Sequence, residues 1–207
     1  MTVVDWLLDG LTIVPANQAS WEDLQAVFGA RGDAAVCQCQ RFKLAPKESF
    51  RSFPVDERAF RLRTQTNCGQ PNAATTSGLV AYCNEVPVGW CAVEPRTVYA
   101  GLLRVFRTPW DGRHEDKSDD GIWAVTCVFA SVGYRRRGIS HALAKAAVAF
   151  ARERGARALE AYPMLLQPGE QTTSGEMLVG SRSVYAAAGM TEVSRPSPRR
   201  AVMRIDF

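Results

Sequence analysis

The feature that most constrains the fold is a central stretch in which an apolar run, a basic loop and an amphipathic segment follow one another. Residues 123–130 are apolar on both alternating faces, as expected of a central strand that is buried on both sides. From residue 139 to 150, apolar residues recur at spacings of 4, 3 and 4, which is one face of a helix. Residues 158–163 then predict a second strand. This order predicts a βαβ unit whose two strands are parallel neighbours.

Weaker patterns surround this unit. Ser20 and Asp23 have the spacing of a capping box at the start of a helix that runs to about Gly29. Asn84-Glu85 joins two β-rich runs and predicts a hairpin. The predicted strands outside the central unit are residues 11–15, 78–83, 86–94 and 200–207. The predicted helices are residues 20–29, 54–66, 99–106 and 181–188, and residues 107–121 are a predicted loop.

Length and composition narrow the class of protein. The chain has 207 residues, 46% of them hydrophobic and 22% charged, which is ordinary for a soluble globular protein. No linker divides its second half, so we expect an N-terminal extension over residues 1–9 and one domain over residues 10–207. The net charge of +4 is too weak to argue for nucleic acid. No apolar run approaches the ~18–20 residues that cross a bilayer, and no membrane partner is expected.

The cysteines bear on compartment and metal binding. Six cysteines without a signal peptide indicate free thiols in a reducing cytoplasm. Cys37 and Cys39 supply half of a thiolate site, but only His114 and His141 could add imidazoles. A closed zinc site needs four ligands, so we expect no metal and interpret the two thiols as buried or pocket-lining.

The loop before the predicted helix at residue 139 has the chemistry of an anion site. Free amides and the positive end of the helix dipole point at whatever lies there. Gly138 lets the backbone approach a ligand closely, and three consecutive arginines, residues 135–137, supply bidentate donors for phosphate. A pyrophosphate fits this arrangement. The structural alternative is a solvated basic turn.

Two motifs resemble those of the GNAT superfamily of acetyl-CoA-dependent N-acetyltransferases. Arg135-x-x-Gly138-x-Ser140 resembles its Q/R-x-x-G-x-G/A motif, with Ser140 as a small departure at the third position. Tyr185, four residues before Gly189-Met190, matches a second landmark, an aromatic residue before a glycine and an apolar residue. The resemblance covers about residues 11–207.

This resemblance implies the fold and the co-substrate. It implies an α/β (α+β mixed) single GNAT-like domain with a central mixed sheet of about seven strands, flanked by helices. The sheet would splay around CoA between the strand that ends near Ala130 and the one that starts near Ala158. Acetyl-CoA would be the co-substrate. The implied cofactor-binding residues are Val128, Phe129, Ala130, Arg135, Arg136, Arg137, Gly138, Ile139 and Ser140.

The resemblance also implies catalytic groups. The Val128 N–H is in the position to polarise the thioester carbonyl, an oxyanion-hole role. Tyr185 would protonate the leaving thiolate of CoA, since a phenol of pKa ~10 suits that task. The alternative for Tyr185 is packing of its ring in the core.

The general base is less well marked. An amine must lose its proton to attack, and the predicted central strand holds no carboxylate. Glu160 stands out because it interrupts an apolar strand, where an unpaired carboxylate is costly. Its alternative role is a salt bridge to an arginine at the edge of the core. Glu94, Asp119 and Asp120 are further candidates, and water could serve without a dedicated base.

Two functions remain open from the sequence. The first is an N-acetyltransferase acting on a primary amine of a small molecule or peptide. The second is a catalytically weak CoA-binding or acyl-CoA-binding sensor or interaction module. Neither the acceptor amine nor the oligomeric state is determined, and a homodimer stays open.

Overall fold

The structure, a computed structural model, describes residues 10–50, 52–166 and 172–207. Residues 1–9, assigned from the sequence to an extension, lie outside these ranges. The strands are β1 Leu11–Pro15, β2 Leu79–Cys83, β3 Val86–Pro95, β4 Ile122–Ala130, β5 Ala158–Ala161, β6 Thr191–Ser197 and β7 Arg200–Asp206. The helices are α1 Trp21–Phe28, α2 Asp33–Cys37, α3 Val55–Thr66, α4 Ala100–Arg104, α5 Ile139–Glu153, α6 Ser174–Met177 and α7 Arg182–Ala186. Of the helices in these ranges, none is long and apolar enough to cross a membrane.

The seven described strands form one mixed sheet in the order β1-β2-β3-β4-β5-β7-β6. Only β4 and β5 pair in parallel, and α5 connects them, so the predicted βαβ unit is confirmed. The β2–β3 hairpin is also confirmed. Asn84 and Glu85 both have positive φ, 48° and 67°, as a tight turn matched to the strand twist requires.

The sheet splays at its centre. β4 and β5 pair over four residues, with Ile122 opposite Ala158 at one end and Val125 opposite Ala161 at the other. β4 continues to Ala130 without β5 beside it. A slot therefore opens between the two strands at the carboxyl end of β4, and the predicted α/β fold with a splayed seven-stranded sheet is confirmed.

Apolar side chains cover both faces of the sheet. On one face, Val128 of β4 packs in a cluster with Leu143 of α5 and Tyr185 of α7. On the other face, Cys127 packs in a cluster with Trp90 of β3 and Phe28 of α1. Neighbouring residues of β4 thus serve different layers, because successive side chains of a strand point to opposite faces.

Some local predictions need correction. Ser20 caps α1 by accepting from the Asp23 amide at 3.0 Å, but the Asp23 carboxylate does not complete a capping box. It accepts instead from the Tyr82 hydroxyl at 3.0 Å. The sequence also missed three elements, which are α2, α6 and the outer strand β6.

Candidate active site

The predicted cofactor residues gather along a groove of about 900 Å³ at the slot. Its floor is the end of β4, from Val128 to Ala130, and its rim is the loop and first turn of α5. The residues that line it are Val128, Phe129, Ala130, Tyr134, Arg135, Arg136, Gly138, Ile139, Ser140, His141, Ala142, Lys145, Ser174, Met177, Leu178, Val184 and Ala187. Of the nine predicted cofactor-binding residues, only Arg137 is missing from this lining. Its guanidinium stacks on the Tyr134 ring, 5.2 Å from the centroid.

The start of α5 is built to hold an anion. Gly138 is the N-cap, with φ of 80° and no side-chain cap, a left-handed conformation that glycine adopts readily. The first amides of the helix therefore lack intrahelical partners. Arg135, Arg136 and Lys145 line the same groove, and no Asp or Glu is among its described lining residues. This combination of free amides and positive charge suits a phosphate or pyrophosphate.

Residues 177–181, the strap, cross the slot between β4 and β5. The Val128 amide donates to the Leu178 carbonyl at 2.7 Å. On the other side, the Met164 amide donates to the Gly180 carbonyl at 3.1 Å, and Met164 forms a parallel bridge with Ser181. The Val128 N–H, which the sequence assigned to the thioester carbonyl, is thus engaged by the chain's own backbone.

Tyr185 lies directly behind the strap. Its side chain is fully buried, and its hydroxyl donates to the Val179 carbonyl at 2.7 Å. Burial raises the pKa of Tyr185 well above its usual value, so the phenol keeps its proton. A Cβ on Gly180 would lie 2.7 Å from Val128 Cγ1 and 2.9 Å from the Tyr185 hydroxyl. Val128 and Tyr185, two of the three predicted catalytic residues, therefore meet at Gly180.

A second cavity of about 380 Å³, the thiol-lined cavity, lies beside the strap. Its described lining residues are Asp33, Val36, Cys37, Cys39, Arg41, Phe42, Phe50, Thr126, Cys127, Gly175, Glu176, Leu178, Val179 and Arg200. β4 contributes Thr126 and Cys127 to this cavity and Val128 to the groove. Leu178 lines both, so the strap is the wall between them.

Cys37 and Cys39 line the thiol-lined cavity, as one interpretation of the sequence had it. The Trp90 indole N–H donates to Cys39 Sγ at 2.9 Å. Burial, reinforced by Cys39, raises the pKa of Cys37 to about 11. A hydrogen bond with Cys39 and burial raise the pKa of Cys127 well above its usual value. The Cys37 and Cys127 thiols are therefore protonated near neutral pH. The expectation that no metal binds stays a prediction.

Glu160 is held in a buried ion cluster. Its side chain is fully buried and pairs with Arg96, Arg113 and Arg204, and it accepts from the Tyr162 hydroxyl at 2.9 Å. Burial raises its pKa, but the hydrogen bond and charge of Arg113, and then the charge of Arg96, outweigh burial and lower it.

The assignment of Glu160 as the base stays a prediction that these contacts do not favour. Of the two roles that the sequence left open, its contacts support the ion pair, because a carboxylate shared by three guanidinium groups is a weak proton acceptor. Glu160 lines neither cavity. The other candidate bases from the sequence also lie outside the linings of both cavities. Glu94 pairs with Lys43, Asp119 pairs with Arg157, and Asp120 is exposed outside both linings.

Two carboxylates that the sequence reasoning missed do line the thiol-lined cavity. Asp33 accepts from the Ser174 hydroxyl. Glu176 accepts from the Thr173 amide at 3.0 Å, and together they form a capping box at the start of α6. The Thr-x-x-Glu spacing is visible in the sequence and could have located this helix start. The position of α6 across the cavity from α2 depends on tertiary contacts, which the sequence pattern does not give.

Comparison with known proteins places this geometry among solved folds. The model of the acetyltransferase (GNAT) family matches residues 42–166. The structure of yncA from Salmonella typhimurium with its cofactor acetyl-CoA is 14% identical, with 95% of this chain and 94% of that chain covered and a TM-score of 0.53. An N-acetyltransferase from Staphylococcus aureus Mu50 is 16% identical, with 95% of this chain and 98% of that chain covered and a TM-score of 0.52. A GCN5-related N-acetyltransferase from Kribbella flavida is 11% identical, with 96% of this chain and 99% of that chain covered and a TM-score of 0.51. A search of curated sequences finds no match. At these identities, the solved structures show a shared fold.

Proposed function

This chain belongs to the acetyltransferase (GNAT) family, and from that premise we propose that it is an N-acetyltransferase. It moves the acetyl group of acetyl-CoA to a primary amine of a small molecule or peptide. The observation that carries the proposal is the meeting of two cavities at Leu178, beside the Val128 amide. One cavity suits a phosphate-bearing ligand and the other a separate acceptor.

The groove fits acetyl-CoA by its donors. The free amides at the start of α5, with Arg135 and Arg136, hold the pyrophosphate. The backbone of β4 from Val128 to Ala130 pairs with the pantetheine amides. When bound, acetyl-CoA supplies a thioester that an amine can attack directly. Binding requires the strap to release Val128, because one N–H cannot fully serve the Leu178 carbonyl and a ligand.

Val128 and Tyr185 then act on the reacting atoms. The Val128 N–H donates to the thioester oxygen, on which negative charge grows during attack. Tyr185, freed from the Val179 carbonyl, donates its proton to the departing thiolate. Its high pKa keeps it protonated for that step. The acceptor amine loses its proton through the thiol-lined cavity to solvent, and the Tyr185 phenolate takes up a proton from solvent, which restores the enzyme.

The same strap also supports a second candidate function. The Leu178 carbonyl blocks the Val128 amide, and no sequence-predicted base lines either cavity. A CoA-binding or acyl-CoA-binding sensor that does not transfer the acetyl group would have both features.

Two measurements separate these functions. In a thermal-shift titration, acetyl-CoA at 100 times its dissociation constant stabilises the protein by about 2.7 kcal/mol, whether it is a transferase or a sensor. Gly138→Glu abolishes this shift because it adds bulk and negative charge at the start of α5. A screen of primary amines that reads free CoA thiol then gives turnover only for an enzyme.

Tyr185→Phe tests the catalytic step. It keeps the ring and its packing but removes the proton donor, so kcat falls by about 10²–10⁴ while the thermal shift with acetyl-CoA is retained. A kcat within a few-fold of wild type on the best acceptor assigns Tyr185 to packing. If acetyl-CoA binds but no amine in the screen releases thiol, the sensor is the correct function.

A further inference from the structure

The thiol-lined cavity combines apolar walls with charged side chains. Val36, Phe42, Phe50 and Val179 are among its apolar lining residues. Its volume of about 380 Å³ lies near the lower end of the range for small-molecule sites, ~300–1,000 Å³. The cavity therefore suits a small ligand with an apolar body.

Its two arginines have no carboxylate partner in the described part of the chain. The Arg200 guanidinium donates to the Tyr162 carbonyl at 3.3 Å. The Arg41 guanidinium lies 5.8 Å from the centroid of the Phe106 ring. Neither forms an ion pair with a described Asp or Glu. The arginines around Glu160, by contrast, each pair with a carboxylate.

The two acidic residues of the cavity already have partners. Asp33 holds the Ser174 hydroxyl. Glu176 caps α6 through Thr173 and lies 3.6 Å from the Arg199 guanidinium. These contacts direct the carboxylates to their own local structure and leave Arg41 and Arg200 as the donors available to a ligand.

The electrostatics of Arg200 agree with this view. Burial, and then the positive charge of Arg41, lower the pKa of Arg200, and the negative charge of Glu176 opposes them only in part. Two guanidinium groups that repel each other across a partly buried cavity are stabilised by an anion placed between them. Arginine also suits this task because its planar fork binds carboxylate or phosphate through two hydrogen bonds.

We propose, on the basis of the proposed function, that the acceptor amine carries an acidic group, a carboxylate or a phosphate, which Arg41 and Arg200 bind. The acceptor's apolar body lies against the cavity walls, and its amine points towards Leu178 and the Val128 amide. The substrate class is thus a small amino acid or amino phosphate.

Matched pairs of amines test this class. Phenylalanine is compared with phenethylamine, 6-aminohexanoate with hexylamine, and phosphoethanolamine with ethanolamine. Binding is measured by calorimetry in the presence of CoA, and acetylation is measured by thiol release. In at least one pair, the acidic member binds at least tenfold more tightly than its neutral-tailed partner. The pair that shows this preference distinguishes carboxylate from phosphate.

Arginine variants link the preference to the cavity. Arg41→Gln and Arg200→Gln each weaken binding of the acidic amine about tenfold or more, as loss of a charge-assisted hydrogen bond does. Both variants leave the affinity for the matched amine without an acidic group within twofold of the wild-type value. Arg200→Lys restores part of the loss, which distinguishes charge from misfolding. Arg107→Gln is the matched control, because that arginine pairs with Asp111 on an exposed loop and lines neither cavity.

The outcomes separate this inference from the proposed function. If acidic amines bind through both arginines but none is acetylated, the transferase proposal fails and the acidic-ligand site stands. If amines are acetylated but acidic members have no advantage, or the Gln variants leave their binding unchanged, the inference is overturned. Failure of every member of every pair to bind also overturns it.

Discussion

Replacing Glu160 with glutamine should destabilise the protein far more than it alters catalysis. The substitution keeps size and one carbonyl oxygen but removes the charge that Arg96, Arg113 and Arg204 share. The Glu160 side chain is fully buried, as is that of Arg96. Solvent therefore cannot replace the missing charge, and the three guanidinium groups keep only the less buried Glu115 as a shared carboxylate.

The magnitude follows from this burial. Breaking a buried ion pair by removing one partner costs about 3–5 kcal/mol. For domains of about 150–250 residues, each kcal/mol lowers Tm by about 2–4 °C, so Glu160→Gln lowers Tm by about 6–20 °C. Glu192→Gln is the control. Glu192 also pairs with two arginines, Arg182 and Arg195, but their side chains are 55% and 52% exposed, and the loss should be no more than about 1 kcal/mol.

Thermal unfolding as a function of pH gives a second signature. The pKa of Glu160 is lowered in the fold, so its stabilisation is complete above the unfolded value of about 4.3. It is lost as pH falls through the lower, folded value. The Tm difference between wild type and Glu160→Gln therefore shrinks below about pH 4. An unchanged Tm, together with a fall in kcat that recovers at high pH, would refute the ion-cluster reasoning and restore Glu160 as the base.

Three further predictions test other features. The Cys37 thiol, with a pKa of about 11, should react with iodoacetamide slowly at pH 7 and faster as pH rises towards 11, followed by mass spectrometry; fast reaction at pH 7 would contradict the assigned pKa. Gly180→Ala should lower the free energy of unfolding in urea by about 1–3 kcal/mol more than Gly155→Ala, because both glycines have φ of 79° but a Cβ at Gly155 meets nothing within 4 Å; equal losses would show that the strap tolerates the added carbon. Ser20→Ala removes the cap on α1 and should cost about 1 kcal/mol by the same measurement, and no change would show that the cap is dispensable.

Local patterns predicted most of the fold. β4, α5 and the hairpin follow from hydrophobic periodicity and turn residues within single segments. The edge strand β6 was missed because it pairs on one side only, contains Pro196 and has no buried residue. The short helices α2 and α6 were missed because four or five residues carry little periodicity. Such elements depend on tertiary packing more than on propensity.

The candidate site also has a part that local sequence predicted and a part that it did not. The anion loop was predictable because its glycine, arginines and helix start are contiguous in the sequence. The partners of Glu160 were not, because Arg96 and Arg113 lie 64 and 47 residues away along the chain. The bond between Val128 and Leu178 likewise joins distant segments. Sequence distance therefore separates what was predicted from what needed the structure.

The strap also bears on how the protein behaves without a ligand. A splayed sheet leaves part of β4 as an internal edge, and unpaired strand edges are templates for pairing with other chains and for aggregation. At Val128 the Leu178 carbonyl covers this edge, and the Gly180 carbonyl covers the Met164 amide on the other side of the slot. The chain thus carries its own protecting segment where the sheet opens. Variants that loosen the strap should lose solubility before they lose the fold.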